Sequence, residues 1–216
     1  MAAPRPPLAE PHFDGRGVRA KLIVDRDHYD DLVARRLREA RVSVWISTAN
    51  LKSTLVEAPV GSRARARGQF VSLYESLGDL AKNGVDVRVL HASAPSRPLA
   101  KEMGKDSKVK LRQCPRVHLK MIAIDGRLLY LGSANLTGAG LGAKGDGRRN
   151  FEMGILTDSD AMLDDAQERF DRIWRGAECK SCKLRSVCPK PLDVLVKPPT
   201  SPARSRRARR SPSSPR

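Results

Sequence analysis

Short apolar runs alternate along this chain with stretches in which apolar residues repeat at helical spacing. Strands are predicted where Val- and Ile-rich runs are bounded by polar, Gly or Pro residues, and helices where apolar residues recur every three to four positions. The predicted strands cover residues 18–24, 42–49, 85–90 and 151–156, the predicted helices 25–40, 70–82 and 159–174, and the predicted loops 52–69 and 92–108. A helix followed by a strand, twice over, indicates an α/β fold with a mixed β-sheet flanked by helices.

A further pair of strands is predicted within residues 116–135, which read RVHLKMIAIDGRLLYLGSAN. Asp125-Gly126 between two β-rich runs predicts a hairpin with a two-residue turn, in which Ile124 pairs with Arg127. Directly paired residues share a face of the sheet, and side chains alternate faces along each strand. Counting outward from the turn therefore places four polar side chains on one face: His118, Lys120, Ser133 and Asn135.

Polar groups within otherwise apolar strands need a reason, because an unpaired polar group is costly to bury. Their spacing is H-x-K, four residues, D, six residues, and then G-S-x-N. This spacing resembles the HKD signature of the phospholipase D superfamily, and it is matched by His118, Lys120, Asp125, Gly132, Ser133 and Asn135. The resemblance covers roughly residues 109–158 and is to the small bacterial endonuclease branch. It implies a phospholipase D-like fold that carries a single copy of the motif.

The resemblance also implies a mechanism, hydrolysis of a phosphodiester through a phosphohistidine intermediate. Two histidines are needed, and since the chain has one motif, we expect a homodimer that brings two copies of His118 together. No metal is needed for this chemistry. The resemblance implies phosphate binding by Lys120 and Asn135, phosphate orientation by Ser133, a structural role at the turn for Asp125, and orientation of the His118 imidazole by Glu152.

Charge narrows the choice of substrate. The formal net charge is +17, and residues 197–216 hold seven basic and no acidic residues, which leaves +10 (17 less 7) on residues 1–196. The part expected to fold is therefore basic in its own right, which favours a polyanionic partner. Nucleic acid is the first expectation, phospholipid headgroups are the alternative, and a non-catalytic nucleic-acid-binding protein would require a damaged motif. A glycine-rich loop at 136–150 is predicted to be mobile, with Lys144, Arg148 and Arg149 as candidate substrate contacts.

Three of the four cysteines fall in the run CKSCKLRSVC. The C-x2-C spacing is common among metal ligands, so we expect a structural metal site formed by Cys114, Cys179, Cys182 and Cys188. Zinc and an iron–sulfur cluster are alternatives, and incidental reduced cysteines are the other interpretation. With no secretory signal and no apolar run of transmembrane length, a cytoplasmic protein is expected. The predicted organisation is an irregular N-terminus (1–17), a catalytic domain (18–176), a Cys-rich metal-binding segment (177–196) and a disordered basic tail (197–216).

Overall fold

The centre of the molecule is a mixed β-sheet. The computed structural model describes residues 18–103, 107–188 and 190–194. Its strands are β1 Ala20–Val24, β2 Ser43–Thr48, β3 Leu55–Glu57, β4 Phe70–Ser72, β5 Asp86–His91, β6 Lys110–Gln113, β7 Met121–Ile124, β8 Leu128–Gly132 and β9 Met153–Thr157. Seven of them form one sheet in the order β1-β9-β8-β7-β2-β5-β6, and β3 pairs with β4 in a second, small sheet. Strands β2, β5 and β6 are parallel, whereas the pairings from β2 through β7, β8 and β9 to β1 are antiparallel.

Helices cover both faces of the large sheet. They are a π-helix at His28–Leu37, α1 Arg63–Ala66, α2 Leu73–Lys82, α3 Arg97–Glu102 and α4 Asp160–Trp174, followed by a 3-10 turn at Arg185–Val187. One apolar core joins the π-helix, α2 and α3 to the sheet, and a second core joins α4 to it. Strand β2 serves both cores, because Val44 and Ile46 lie in the first core while Trp45, between them, packs against the second. This alternation is what a strand covered on both faces requires.

The predicted fold class and the main strands are confirmed, whereas two predicted loops are wrong. Residues 52–69 contain β3 and α1, and residues 92–108 contain α3. The helix predicted to begin at Phe70 begins at Leu73, because Phe70–Ser72 forms β4 and the Ser72 hydroxyl accepts hydrogen bonds from the N–H groups of Tyr74 and Glu75. Elements of three to six residues are too short to show a hydrophobic period, so tertiary contacts decide them.

Several expectations concern residues outside the described ranges. They include the irregular N-terminus at 1–17 and the basic tail at 197–216. Across the described ranges, no helix combines the length and the apolar character needed to cross a bilayer.

Candidate active site

Five of the predicted catalytic residues gather at one end of the large sheet, where β2 and β8 end and β7 and β9 begin. Lys120 directly precedes β7, and its carbonyl oxygen accepts a hydrogen bond from the Gly132 N–H at 3.2 Å. Ser133 follows β8 and donates its N–H to the Met153 carbonyl at 3.0 Å, which places Glu152 at the same edge. The antiparallel arrangement therefore brings residues that are far apart in sequence to a common edge.

His118 is exposed at this edge, and the half-buried Lys120 lies against it. The Lys120 Nζ lies 3.1 Å from Nδ1 and 3.2 Å from Nε2 of the His118 ring, and 3.0 Å from the His118 carbonyl oxygen. The Lys120 ammonium thus lies almost equally close to both ring nitrogens of His118. A neutral imidazole in solvent is a nucleophile, and the neighbouring ammonium supplies positive charge for an approaching anion.

Asn135 joins the end of β8 to the end of β2. Its Oδ1 accepts hydrogen bonds from the N–H groups of Ala49 (3.1 Å) and Asn50 (3.0 Å) and lies 3.3 Å from the Thr48 hydroxyl. Two backbone donors on one atom identify that atom as the amide oxygen. The oxygen of Asn135 therefore has a structural role, and its amino group is the part of the side chain that can donate to a phosphate.

Glu152 is hydrogen-bonded to Ser133 rather than to His118. Its carboxylate accepts from the Ser133 hydroxyl and from the Asn150 amide nitrogen, the latter at 3.0 Å. Its backbone is held by Asp25, whose Oδ1 accepts from the Glu152 N–H at 2.9 Å and whose own N–H donates to the Glu152 carbonyl at 2.9 Å. Sequence reasoning missed Asp25. The available signal was an Asp directly after a predicted strand, a residue type that tolerates the positive φ of 43° seen here.

The register of the hairpin differs from the prediction by one residue. Asp125 and Gly126 have positive φ values of 54° and 61°, and the Arg127 N–H donates to the Ile124 carbonyl at 3.0 Å, as the predicted turn requires. Arg127, however, is an extra residue, and Ile124 pairs with Leu128. Within the ladder, this shift removes the pairing of His118 with Ser133. Ser133 and Asn135 nonetheless reach the site, because they lie beyond the end of β8. There the path of the backbone, and not the pairing of the strands, determines where their side chains point.

Asp125 lies at the opposite end of β7 from Lys120. Its carboxylate accepts hydrogen bonds from the N–H groups of Arg41, Val42 and Ser43 at 2.7–3.1 Å. Burial acts to raise the pKa of Asp125, but these three donors outweigh it and hold the pKa below its usual value. This motif residue therefore anchors the chain before β2, and the structure does not bring it to the other motif residues.

Gly132 lies where no side chain fits. A Cβ atom at this position would lie 2.4 Å from the Tyr130 hydroxyl oxygen and 2.7 Å from the Met153 carbonyl oxygen. The Tyr130 hydroxyl in turn accepts a hydrogen bond from the Ala134 N–H at 3.2 Å, and burial raises the pKa of Tyr130 to about 12. The glycine of the motif thus lets a buried tyrosine hold the turn that carries Ser133 and Asn135.

Comparison with known proteins identifies the family of this chain. The sequence profile of the family described as cardiolipin synthase, PLD-like domain, matches residues 33–174, more than half of the chain. The chain belongs to the phospholipase D-like family. Solved structures of similar fold include NucT from Helicobacter pylori, with a TM-score of 0.52 and 17% identity, covering 72% of this chain and 95% of NucT. They also include the phospholipase D family member Nuc from Salmonella typhimurium, with a TM-score of 0.53 and 17% identity, covering 73% of this chain and 95% of Nuc. Among curated proteins, none matches the sequence significantly.

Membership of the phospholipase D-like family confirms the resemblance and the predicted fold. At the level of the family, the chain is a phosphodiesterase of the phospholipase D superfamily. The two structural likenesses, at 17% identity, concern the fold alone.

The glycine-rich loop of this phospholipase D-like domain is anchored at its centre. Leu141 is almost fully buried, and a Cβ on Gly142 would lie 2.8 Å from the backbone of Arg26. Of the predicted substrate contacts, Lys144 and Arg148 are exposed, whereas Arg149 is paired with Asp146. The part of the loop that presents basic groups is therefore its outer half, after Leu141.

The four cysteines line one small cavity beside the start of the hairpin. All four thiols are free, and they line this cavity together with residues that include Arg116, Arg185 and Leu192. Across the described residues, no three side chains of His, Cys, Asp or Glu stand close enough together to hold a metal as they are. The structure thus brings the predicted set around one cavity without bringing the sulfurs to ligand separations.

Proposed function

We propose that this protein hydrolyses phosphodiester bonds of nucleic acid, as a homodimer, through a phosphohistidine formed on His118. The observation that carries the proposal is an exposed imidazole beside Lys120, at an edge where Asn135 and Ser133 also present polar groups. These groups match the needs of phosphoryl transfer, namely a nucleophile and donors for the charged oxygens.

In the proposed first step, a ring nitrogen of His118 attacks phosphorus. The bond from phosphorus to the leaving oxygen breaks, and that oxygen takes a proton from His118 of the partner subunit. Water then attacks the phosphohistidine and gives its proton to the partner's His118, which releases the phosphate product and restores both rings. The Lys120 ammonium and the Asn135 amino group donate to the non-bridging oxygens, where negative charge increases in the transition state.

A second copy of the chain is needed because one subunit offers one suitable imidazole. His28 and His91 are buried, and burial lowers the pKa of His91, whose Nδ1 lies 2.8 Å from the Ser93 carbonyl oxygen. Among the described residues, His118 is therefore the only exposed histidine. A two-fold axis beside His118 would place both rings on opposite sides of one phosphate.

Exposed apolar side chains next to the site support this dimer. Phe151 is 97% exposed and Met153 is 60% exposed, and they flank Glu152 in sequence. Val24, which pairs with Met153 across β1 and β9, and Leu119, between His118 and Lys120, are also exposed. A cluster of exposed apolar residues marks an interaction surface. Covering it with a second copy would exclude water from the same edge that carries the catalytic groups.

Three observations bear on the choice of substrate. The net charge of +17 favours the sugar–phosphate backbone, and the sequence resembles the small endonuclease branch. The family description, cardiolipin synthase, favours phospholipid as the second candidate, for which the exposed Phe151 offers an apolar contact. A binding protein without catalysis is the least favoured, because every motif position is intact.

The test is to incubate the purified full chain with single-stranded DNA, duplex DNA, RNA and phosphatidylcholine vesicles, each in the presence of a chelator. We expect chelator-resistant cleavage of nucleic acid that disappears in His118→Asn. Turnover of lipid alone would overturn the proposed substrate. Binding of nucleic acid with no turnover of any of the four would overturn the proposed reaction.

A further inference from the structure

The cysteine cavity has a feature that the active site does not use, since its four thiols come from two separate parts of the chain, Cys114 and the segment 179–188. Cys114 follows β6, Cys179 and Cys182 lie in the turns after α4, and Cys188 follows the 3-10 turn. Three successive turns hold the backbone around Cys179 and Cys182. Their hydrogen bonds run from the N–H groups of Cys179, Cys182 and Arg185 to the carbonyl oxygens of Gly176, Cys179 and Cys182, respectively. Cysteines that converge from distant segments indicate a shared ligand or a shared cross-link.

The segment after α4 has little else to hold it. Apart from the 3-10 turn, its described residues have no regular structure, and its apolar anchor in the core is Leu192. Arg112 of β6 donates to the Leu192 carbonyl at 3.4 Å, and an exposed ion pair joins Arg185 to Asp193. Such contacts contribute little each, and small irregular segments of this kind are commonly stabilised by a metal or a disulfide.

The residues that line the cavity suit a zinc ion. Four sulfur ligands select zinc or iron–sulfur clusters. The C-x2-C spacing of Cys179 and Cys182 is typical of structural zinc sites with four cysteine ligands. Zinc bound by four thiolates carries a net charge of −2, and Arg116 and Arg185 line the same cavity to offset it. Rotation of the four side chains would draw the sulfurs inward.

We propose that Cys114, Cys179, Cys182 and Cys188 bind one zinc ion, which fastens the segment after α4 to the chain that leads into His118. The connection to the active site is short. The Cys114 N–H donates to the His91 carbonyl at 2.8 Å, and the Val117 N–H donates to the Cys114 carbonyl at 3.0 Å. A ligand on Cys114 would therefore fix the turn from which His118 projects. The zinc site is independent of the substrate proposed above.

The test begins with metal analysis of the purified full chain, together with a count of reactive thiols. We expect about one zinc per chain and four protected thiols, all of which become reactive when the chain is denatured in the presence of a chelator. Cys114→Ser and Cys182→Ser should each lose the zinc, while Ser186→Ala, in the same segment, should keep it. Circular dichroism of each variant shows whether the chain is still folded.

Four results would overturn the proposal. The first is a folded wild-type chain with four reactive thiols and no zinc, and the second is iron with acid-labile sulfide. The third is a disulfide detected by mass spectrometry between any two of the four cysteines. The fourth is a Cys114→Ser variant that retains one zinc per chain, because it would exclude Cys114 from the site.

Discussion

Lys120 lies close to both ring nitrogens of His118, the proposed catalytic histidine. The ammonium is close enough to interact with the ring and with any anion bound beside it. At an exposed edge, neither side chain contributes to a core, so both can be replaced without loss of packing.

Replacing Lys120 should therefore slow the reaction while leaving the fold intact. Lys120→Ala is expected to lower kcat by about 10²–10³-fold, the usual effect of removing one donor to a developing anion. Steady-state kinetics on a cleavable phosphodiester measure the effect, and Lys82→Ala, an exposed lysine of α2, is the control that should keep full activity. An unchanged kcat in Lys120→Ala would remove Lys120 from the mechanism.

Asp125 is the motif residue whose part is structural, and its substitution should separate stability from catalysis. Asp125→Ala leaves the N–H groups of Arg41, Val42 and Ser43 without their acceptor, which should lower the free energy of unfolding by about 2–3 kcal/mol at neutral pH. At a temperature where the variant is folded, kcat should match that of the wild type. A large loss of kcat in the folded variant would contradict the structural role.

The pH dependence of Asp125 gives an independent check. Its pKa in the folded protein is below the unfolded value of 3.8, so its stabilising contribution is fully present above that value. The contribution is lost as the pH falls through the lowered pKa. Denaturation curves of the wild type and Asp125→Ala should therefore differ by a constant amount near neutral pH and converge in strong acid.

At the scale of elements, the hairpin shows what a sequence pattern can and cannot determine. The conformation of Asp125-Gly126 followed from the side chains of those two residues, because a turn with two positive φ values favours Asp and Gly. The register could not be predicted, because a bulge such as Arg127 adds one unpaired residue to a strand without changing the hydrophobic pattern of the sequence. Five of the predicted site residues nonetheless lie at one edge of the sheet, since they lie outside the ladder between β7 and β8.

The contacts of the site residues were less predictable than their identity. The bond from Asn135 to the end of β2 and the bond from Glu152 to Ser133 depend on segments more than fifteen residues apart meeting at one edge. Sequence spacing carries no information on such contacts until strand order is known. The same holds for Asp25, whose importance comes from the pairing of β1 with β9.

Close packing between β8 and β9 makes a sharp prediction for a glycine outside the motif. A Cβ on Gly154 would lie 2.4 Å from a ring carbon of Tyr130 and 2.8 Å from the Leu131 carbonyl oxygen. Gly154→Ala should therefore lower the free energy of unfolding by about 1–3 kcal/mol, as measured by urea denaturation.

A matched alanine substitution in α2 should change the free energy of unfolding in the opposite direction. Gly78 lies inside α2, and a Cβ atom on this residue would meet no neighbouring atom within 4 Å, so Gly78→Ala should raise stability by about 0.5–1 kcal/mol. If both substitutions changed the free energy of unfolding by the same amount, close contact with Tyr130 would not be what prevents a side chain at residue 154.

At the scale of the whole molecule, the exposed apolar residues beside the site should control assembly. Phe151→Lys places a charge in the proposed interface and should shift the protein from dimer to monomer, with a parallel loss of activity. Analytical ultracentrifugation measures the first effect and turnover the second. The control is Val42→Lys, at the other end of the sheet, which replaces a side chain that is 65% exposed. It should change neither the oligomeric state nor the turnover. A monomeric Phe151→Lys variant with full activity would contradict the two-chain site.

The central claim is that two copies of His118 act on one phosphate, and mixed dimers test it most directly. Wild-type chains and His118→Asn chains are combined at fixed total concentration, allowed to assort, and assayed on bis(4-nitrophenyl) phosphate. If both histidines are needed, activity follows the square of the wild-type fraction, so an equal mixture retains about one quarter of the activity. A linear dependence, with about one half retained, would show that each chain acts alone and would contradict the account.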